Sequence, residues 1–69
     1  MVTIYTKPGC PYCMGAKEYY RARGVAFKEV GVAGNAAGLS EMLRRNGGTR
    51  RVPTIVEDGE VKIGFNGGT

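Results

Sequence analysis

With 69 residues, 42% hydrophobic and 23% charged, the chain reads as one small globular domain over residues 1–69 with no room for a second. It lacks both the apolar run of roughly 7 to 15 residues behind a basic start that marks a secretory signal and the run of about 20 that spans a membrane, so the cytoplasm is the expected location, where a Cys pair does chemistry or holds metal rather than bridging a fold. Ten Lys and Arg against six Asp and Glu give a net charge of +4 without a basic stripe, which suits small anionic thiols better than nucleic acid, and the absence of His excludes a Cys-His nucleophile pair and a mixed Cys-His zinc site.

Val2 to Thr6 is a run of β-branched and aromatic residues ended by Lys7-Pro8-Gly9, which predicts a first strand and a turn. Pro11 suits a first helical position, and Cys13, Ala16 and Tyr20 share a helix face. A first helix is therefore expected to about Arg23, stopped by Gly24. Val25 to Val32 is the second strand candidate, with Val25, Phe27 and Val30 buried. Asn35 is placed to cap a second helix in which Ala36, Leu39, Met42 and Leu43 repeat at helical spacing; Gly38 weakens it and Asn46-Gly47-Gly48 ends it. Thr54 to Glu57 and Glu60 to Ile63, joined by Asp58-Gly59, form a hairpin. The tail from Gly64 to Thr69 carries too much Gly for a helix or strand interior, so one face of the sheet is expected to be left uncovered.

Both cysteines fall in Lys7-Pro8-Gly9-Cys10-Pro11-Tyr12-Cys13, where the first strand becomes the first helix. At a helix N-terminus the unpaired N–H groups and the macrodipole favour a thiolate, and Lys7 adds a cation. Cys10 is thus expected to ionise and attack, while Cys13, one turn further in and on the buried face, resolves. Pro11 fixes a backbone dihedral between the sulfurs, and Tyr12 stands exposed beside them. A structural bridge over two intervening residues would close too short a loop to stabilise much. Pro53, just before a strand, cannot donate to a sheet ladder. On its own it reads as an ordinary trans strand-entry proline, because only about 5 to 6% of X-Pro bonds are cis; the functional alternative is a cis proline whose loop faces the Cys pair.

Taken together, Cys10-Pro11-Tyr12-Cys13 after the first strand, Arg51-Val52-Pro53 before the hairpin and Ile63-Gly64-Phe65-Asn66 after it resemble the dithiol glutaredoxins. The resemblance implies a minimal thioredoxin-like α/β fold of order β-α-β-α-β-β with a four-stranded mixed sheet, the usual C-terminal helix being absent or truncated. It implies a cis Pro53, Cys10 as nucleophile and Cys13 as resolving thiol. Glutathione, as co-substrate rather than bound cofactor, would lie along Lys7, Tyr12 and the main chain of Val52 beside Pro53 and Gly64, with Arg50 meeting its glycyl carboxylate. Arg51 replaces the family's usual Thr, and Gly64-Phe65 replaces its usual Gly-Gly. The Gly-Phe pair is similar to the glutaredoxin-like reductants of ribonucleotide reductase, which take electrons from thioredoxin reductase.

The implied activity is reduction of protein disulfides or glutathione mixed disulfides by a monomer coupled to glutathione or thioredoxin reductase. Two alternatives stay open on the residues alone. A Cys-X-X-Cys after a first strand also occurs in small Cu(I)-carrying modules that repeat β-α-β twice, and an iron-sulfur cluster can be shared between two chains with glutathione supplying thiolates.

Overall fold

The computed structural model describes residues 1–69. Its elements are β1 (Val2–Thr6), α1 (Pro11–Ala22), β2 (Phe27–Gly31), α2 (Ala36–Asn46), β3 (Thr54–Glu57) and β4 (Glu60–Ile63). The fold is the thioredoxin-like one that the sequence implies: two helices on a four-stranded mixed sheet of order β2-β1-β3-β4. β1 pairs parallel with β2 and antiparallel with β3, and β3 pairs antiparallel with β4. A parallel β1–β2 pair requires a crossover, and α1 supplies it.

Strand alternation divides the core in two. Val2 and Ile4 of β1 meet Ile55 of β3, with Ile4 directly opposite Ile55, and pack against Ala16 and Tyr20 of α1. Tyr5 and Val56 belong to the other cluster, which takes in Met42 of α2 and extends to Cys10, Cys13 and Val52. Ile4, Tyr5 and Ala16 are fully buried, and truncating a residue such as Ile4 to Ala is expected to cost about 2 to 5 kcal/mol. Two buried tyrosine hydroxyls find carboxylates at the rim: Tyr5 donates to Glu41 at 2.6 Å and Tyr20 to Glu57 at 3.3 Å.

Three expectations are corrected. Val25 is not in β2 and is partly exposed. Gly24 takes a φ of +70°, and its N–H and that of Val25 turn back to the carbonyls of Arg21 and Tyr20, so the end of α1 uses the donors a longer strand would need. Ala36 is exposed, and Gly38 is the buried small residue of α2, close to Val30. The tail is ordered by an Asn-Gly turn. Asn66 and Gly67 both have positive φ, and Phe65 and Gly68 exchange backbone hydrogen bonds of 2.7 and 3.0 Å, the geometry of a two-residue hairpin. This turn sets Phe65 against the α1 cluster, its ring 5.5 Å from that of Tyr19, so the face expected to be bare is partly filled. A cavity of about 420 Å³ bounded by Tyr19, Val25 and Phe65 remains there.

Candidate active site

The Cys pair sits at the carboxyl end of β1, the edge at which open α/β sheets hold ligands. Cys10 is the N-cap of α1 in an extended conformation, with Pro11 at the first helical position. The cap interaction is made by sulfur: Cys13 N–H donates to Cys10 Sγ at 3.2 Å. One of the donors that every helix start leaves unpaired is thereby aimed at the residue that would bear negative charge. Both thiols are buried, Cys10 at 4% exposure and Cys13 at 1%, so they differ less in burial than in what surrounds them. Burial pushes the Cys13 thiol up to about 11, with the neighbouring Cys10 adding to it, while the Lys7 backbone and the Lys17 ammonium act in the opposite direction.

Facing the pair is the Val52-Pro53 peptide, which is cis. Cys10 Sγ donates to the Val52 carbonyl at 3.9 Å. The loop is held from three sides. Thr54 Oγ1 donates to the carbonyl of Arg51 at 2.9 Å, Asn46 Nδ2 donates to Thr54 Oγ1 at 3.1 Å, and Gly64 N–H donates to the carbonyl of Pro53 at 2.7 Å. Asn46, at the end of α2, also bonds the Thr49 carbonyl and the N–H groups of Gly48 and Thr49, so one side chain fastens the whole approach to Val52.

Of the residues singled out in the sequence, Lys7, Arg50 and Val52 share a cavity of about 200 Å³; neither cysteine lines it, and Val52, whose carbonyl accepts from Cys10 Sγ, links it to the thiols. Its apolar wall comes from Val32, Leu39, Met42 and Val52. Arg51 and Thr69 complete it, and sequence reasoning passed over both as site residues. Arg51 was signalled by its place directly before Val52-Pro53; Thr69 carried no local signal, because it arrives through the Asn66-Gly67 turn. The two are joined by a 3.5 Å hydrogen bond from the Arg51 guanidinium to Thr69 Oγ1.

Tyr12 is exposed, and its ring lies against the backbone of Gly68, where a β-carbon would collide with it. Gly64 does not join the cationic cavity: its N–H is taken by Pro53, and it borders the cavity on the α1 face instead. Its φ of +89° and the approach of the Gly68 carbonyl, 2.8 Å from where a β-carbon would stand, require glycine there.

The arrangement can perform thiol-disulfide exchange, with one thiol at a helix start, a second one turn inward and a peptide edge opposite. The chain ends its sheet with the β3–β4 hairpin, where a metal-carrying module would repeat β-α-β.

The glutaredoxin family model matches residues 2–62. Glutaredoxin 3 of Escherichia coli (strain K12) is 48% identical over 59 residues, which cover 86% of this chain and 70% of that protein. Among solved structures, the thioredoxin-like protein BC3987 aligns with a TM-score of 0.86 at 37% identity, over 94% of this chain and 88% of its own. The glutaredoxin-like protein NrdH-redoxin from Escherichia coli aligns with a TM-score of 0.79 at 30% identity, over 93% of this chain and 82% of its own.

Proposed function

The chain belongs to the glutaredoxin family and is a thiol-disulfide oxidoreductase, and on that premise we propose that Cys10 attacks, Cys13 resolves and the cationic cavity receives an anionic thiol co-substrate, glutathione. The Cys10 thiolate attacks one sulfur of a substrate disulfide; that S–S bond breaks and the departing thiolate takes a proton. The Cys13 thiolate then attacks Cys10 Sγ, the second substrate sulfur leaves as thiolate, and a Cys10–Cys13 disulfide remains. Two electrons pass from the dithiol to the substrate, and an external reductant restores the thiols.

The observation that carries this reading is the placement of Cys10 Sγ between a donor and an acceptor, the Cys13 N–H at 3.2 Å and the Val52 carbonyl at 3.9 Å. A peptide-like ligand extended along Val52 next to Pro53 would bring its own sulfur to Cys10, with Tyr12 bordering its other side. Lys7, Arg50 and Arg51 around an apolar wall fit the carboxylates of a small thiol peptide. Gly64 serves the site by holding the Pro53 carbonyl rather than by touching ligand.

A second source of electrons has its own support. The chain is 30% identical to a redoxin whose activity profile is described as thioredoxin-like, and Gly64-Phe65 stands where glutathione users carry Gly-Gly. On that reading thioredoxin reductase is the donor and clients such as ribonucleotide reductase are the acceptors, in the cytoplasm. Following NADPH oxidation with glutathione plus glutathione reductase, and separately with thioredoxin reductase, tests the two. Turnover by glutathione at least tenfold above that by thioredoxin reductase is expected, and the reverse ratio would overturn the assignment of the cationic cavity.

A further inference from the structure

A second cavity of about 380 Å³, the rear cavity, is bordered by Cys13, Thr6, Lys7, Lys17 and Glu29, and Lys7 is the residue it shares with the cavity at Val52. Cys13 and Lys17 are four residues apart on α1, so their side chains occupy one helix face about 5 to 6 Å apart at Cβ. The Lys17 ammonium is tied down. Its Nζ donates to Glu29 Oε2 at 3.0 Å, and the same oxygen accepts from Thr6 Oγ1 at 2.8 Å. Thr6 is itself buried at the end of β1, and only 24% of the Lys17 side chain is exposed. The Glu29 side chain is 42% exposed, and the bond from buried Thr6 is what fixes its carboxylate.

The geometry points to Lys17 as the residue that stabilises the Cys13 thiolate in the resolving step, with Thr6 and Glu29 as positioning residues that hold its ammonium in the rear cavity. This rests on the exchange chemistry above, in which Cys13 must lose a proton while buried. The charges around it are few. Lys17 on α1 and Lys7 in the loop before it are cationic, and Glu29 on β2 is anionic and shared with Lys17. From α2 comes apolar Met42, while Tyr5 of β1 turns its hydroxyl away to Glu41. Arg21, one turn further along α1, acts on Glu29. Among the influences on the Cys13 thiol, burial is the largest and raises it; the Lys7 backbone is the stronger of the two that oppose the rise, and the Lys17 ammonium is the only opposing side chain.

In the resolving step the Cys13 proton passes to water entering the rear cavity. The S–S bond between Cys10 and substrate breaks as the Cys10–Cys13 bond forms, and the leaving thiolate takes up a proton. The test is a stoichiometric reaction of the reduced protein with 5,5′-dithiobis(2-nitrobenzoate). It releases one chromophore as Cys10 attacks and a second as Cys13 displaces the first adduct.

For Lys17→Met the first phase is expected to be unchanged and the second to slow a few-fold at pH 7, since fewer Cys13 thiols are ionised and the higher nucleophilicity of each thiolate offsets only part of that loss. The slowing should persist across pH 6 to 10, where both proteins lie below the Cys13 value of about 11 and both rates rise with pH, and Lys17→Arg should restore the wild-type rate. A second phase in Lys17→Met that matches wild type across pH 6 to 10, or both phases slowing equally, would overturn the assignment. A wild-type protein that releases only one chromophore per chain would instead overturn the dithiol reading on which it rests.

Discussion

Gly38→Ala inverts a general rule, and the structure says by how much. Ala in a helix interior is ordinarily favoured over Gly by about 1 kcal/mol. Here a β-carbon at position 38 would stand 2.5 Å from Asn35 Nδ2, 3.0 Å from Asn35 Cγ and 3.0 Å from Val30 Cγ1. Asn35 must swing away, which breaks the cap from Gly38 N–H to Asn35 Oδ1 at 3.1 Å and the bond from Asn35 Nδ2 to the Gly31 carbonyl at 2.8 Å. Losing the cap costs about 1 kcal/mol and the second bond about 1 kcal/mol more, and crowding Val30 adds about 1 kcal/mol. The net is a destabilisation of about 2 kcal/mol after the helix gain. With a urea dependence of about 1 kcal/mol per molar for so small a domain, the midpoint should fall by about 2 M. An unchanged or raised midpoint would refute the reasoning. The consequence reaches the site, because α2 brings Leu39 and Met42 to the cationic cavity.

Other expectations follow from the same geometry. Arg51→Thr should weaken use of anionic thiol substrates several-fold in KM and flatten the salt dependence of turnover, measured between 20 and 300 mM salt, since a cation leaves the cavity rim. Burial and the Glu41 bond push Tyr5 up to about 12; its folded value lies above the unfolded one near 10, so the stability it confers is full below pH 10 and is lost as pH rises towards 12. Alkaline unfolding of Tyr5→Phe should accordingly be shallower over that window. Lys17 and then Thr6 hold the Glu29 carboxyl below the usual range, so its contribution is present above about pH 4.3 and disappears as pH falls further; Glu29→Gln should lose less stability between pH 5 and 3 than wild type. Gly68→Ala should displace the Tyr12 ring, read as a change in tyrosine fluorescence or ring NMR shifts while the core signals stay in place.

Much of this was legible because local signals and tertiary packing agree. The strand-to-helix change at Cys10, the Gly24 stop, the Asn35 cap and the Asp58-Gly59 hairpin all depend on residues within a few positions of each other, and all stand where the sequence places them. Val25 was misread because a β-branched residue after a helix looks like strand, while its N–H is already committed to the helix-ending turn. The tail's glycines do exclude a helix or strand interior, but Asn66-Gly67 is itself a hairpin signal, and its turn brings Phe65 to the face expected to be bare. The cationic cavity was legible only in part: Lys7 and Arg50 are near motif residues, but Arg51 gains its partner from Thr69, 18 residues away, and Gly64 is turned from the cavity by its bond to Pro53. Nor does the pairing of Lys17 with Glu29 and Thr6 appear in any local pattern, since it joins a helix to two strands. The cis form of Pro53 came from the family resemblance rather than from the residues themselves.

The division of labour between the two thiols is tested most directly by trapping the intermediate. Reduced Cys13→Ser protein is mixed with a disulfide-containing peptide or with oxidised glutathione, quenched in acid, and mapped by peptide mass spectrometry. The account predicts a stable mixed disulfide on Cys10, and no such adduct on Cys13 when the same reaction is run with Cys10→Ser. An adduct forming on Cys13 as fast as on Cys10, or none on Cys10, would contradict it.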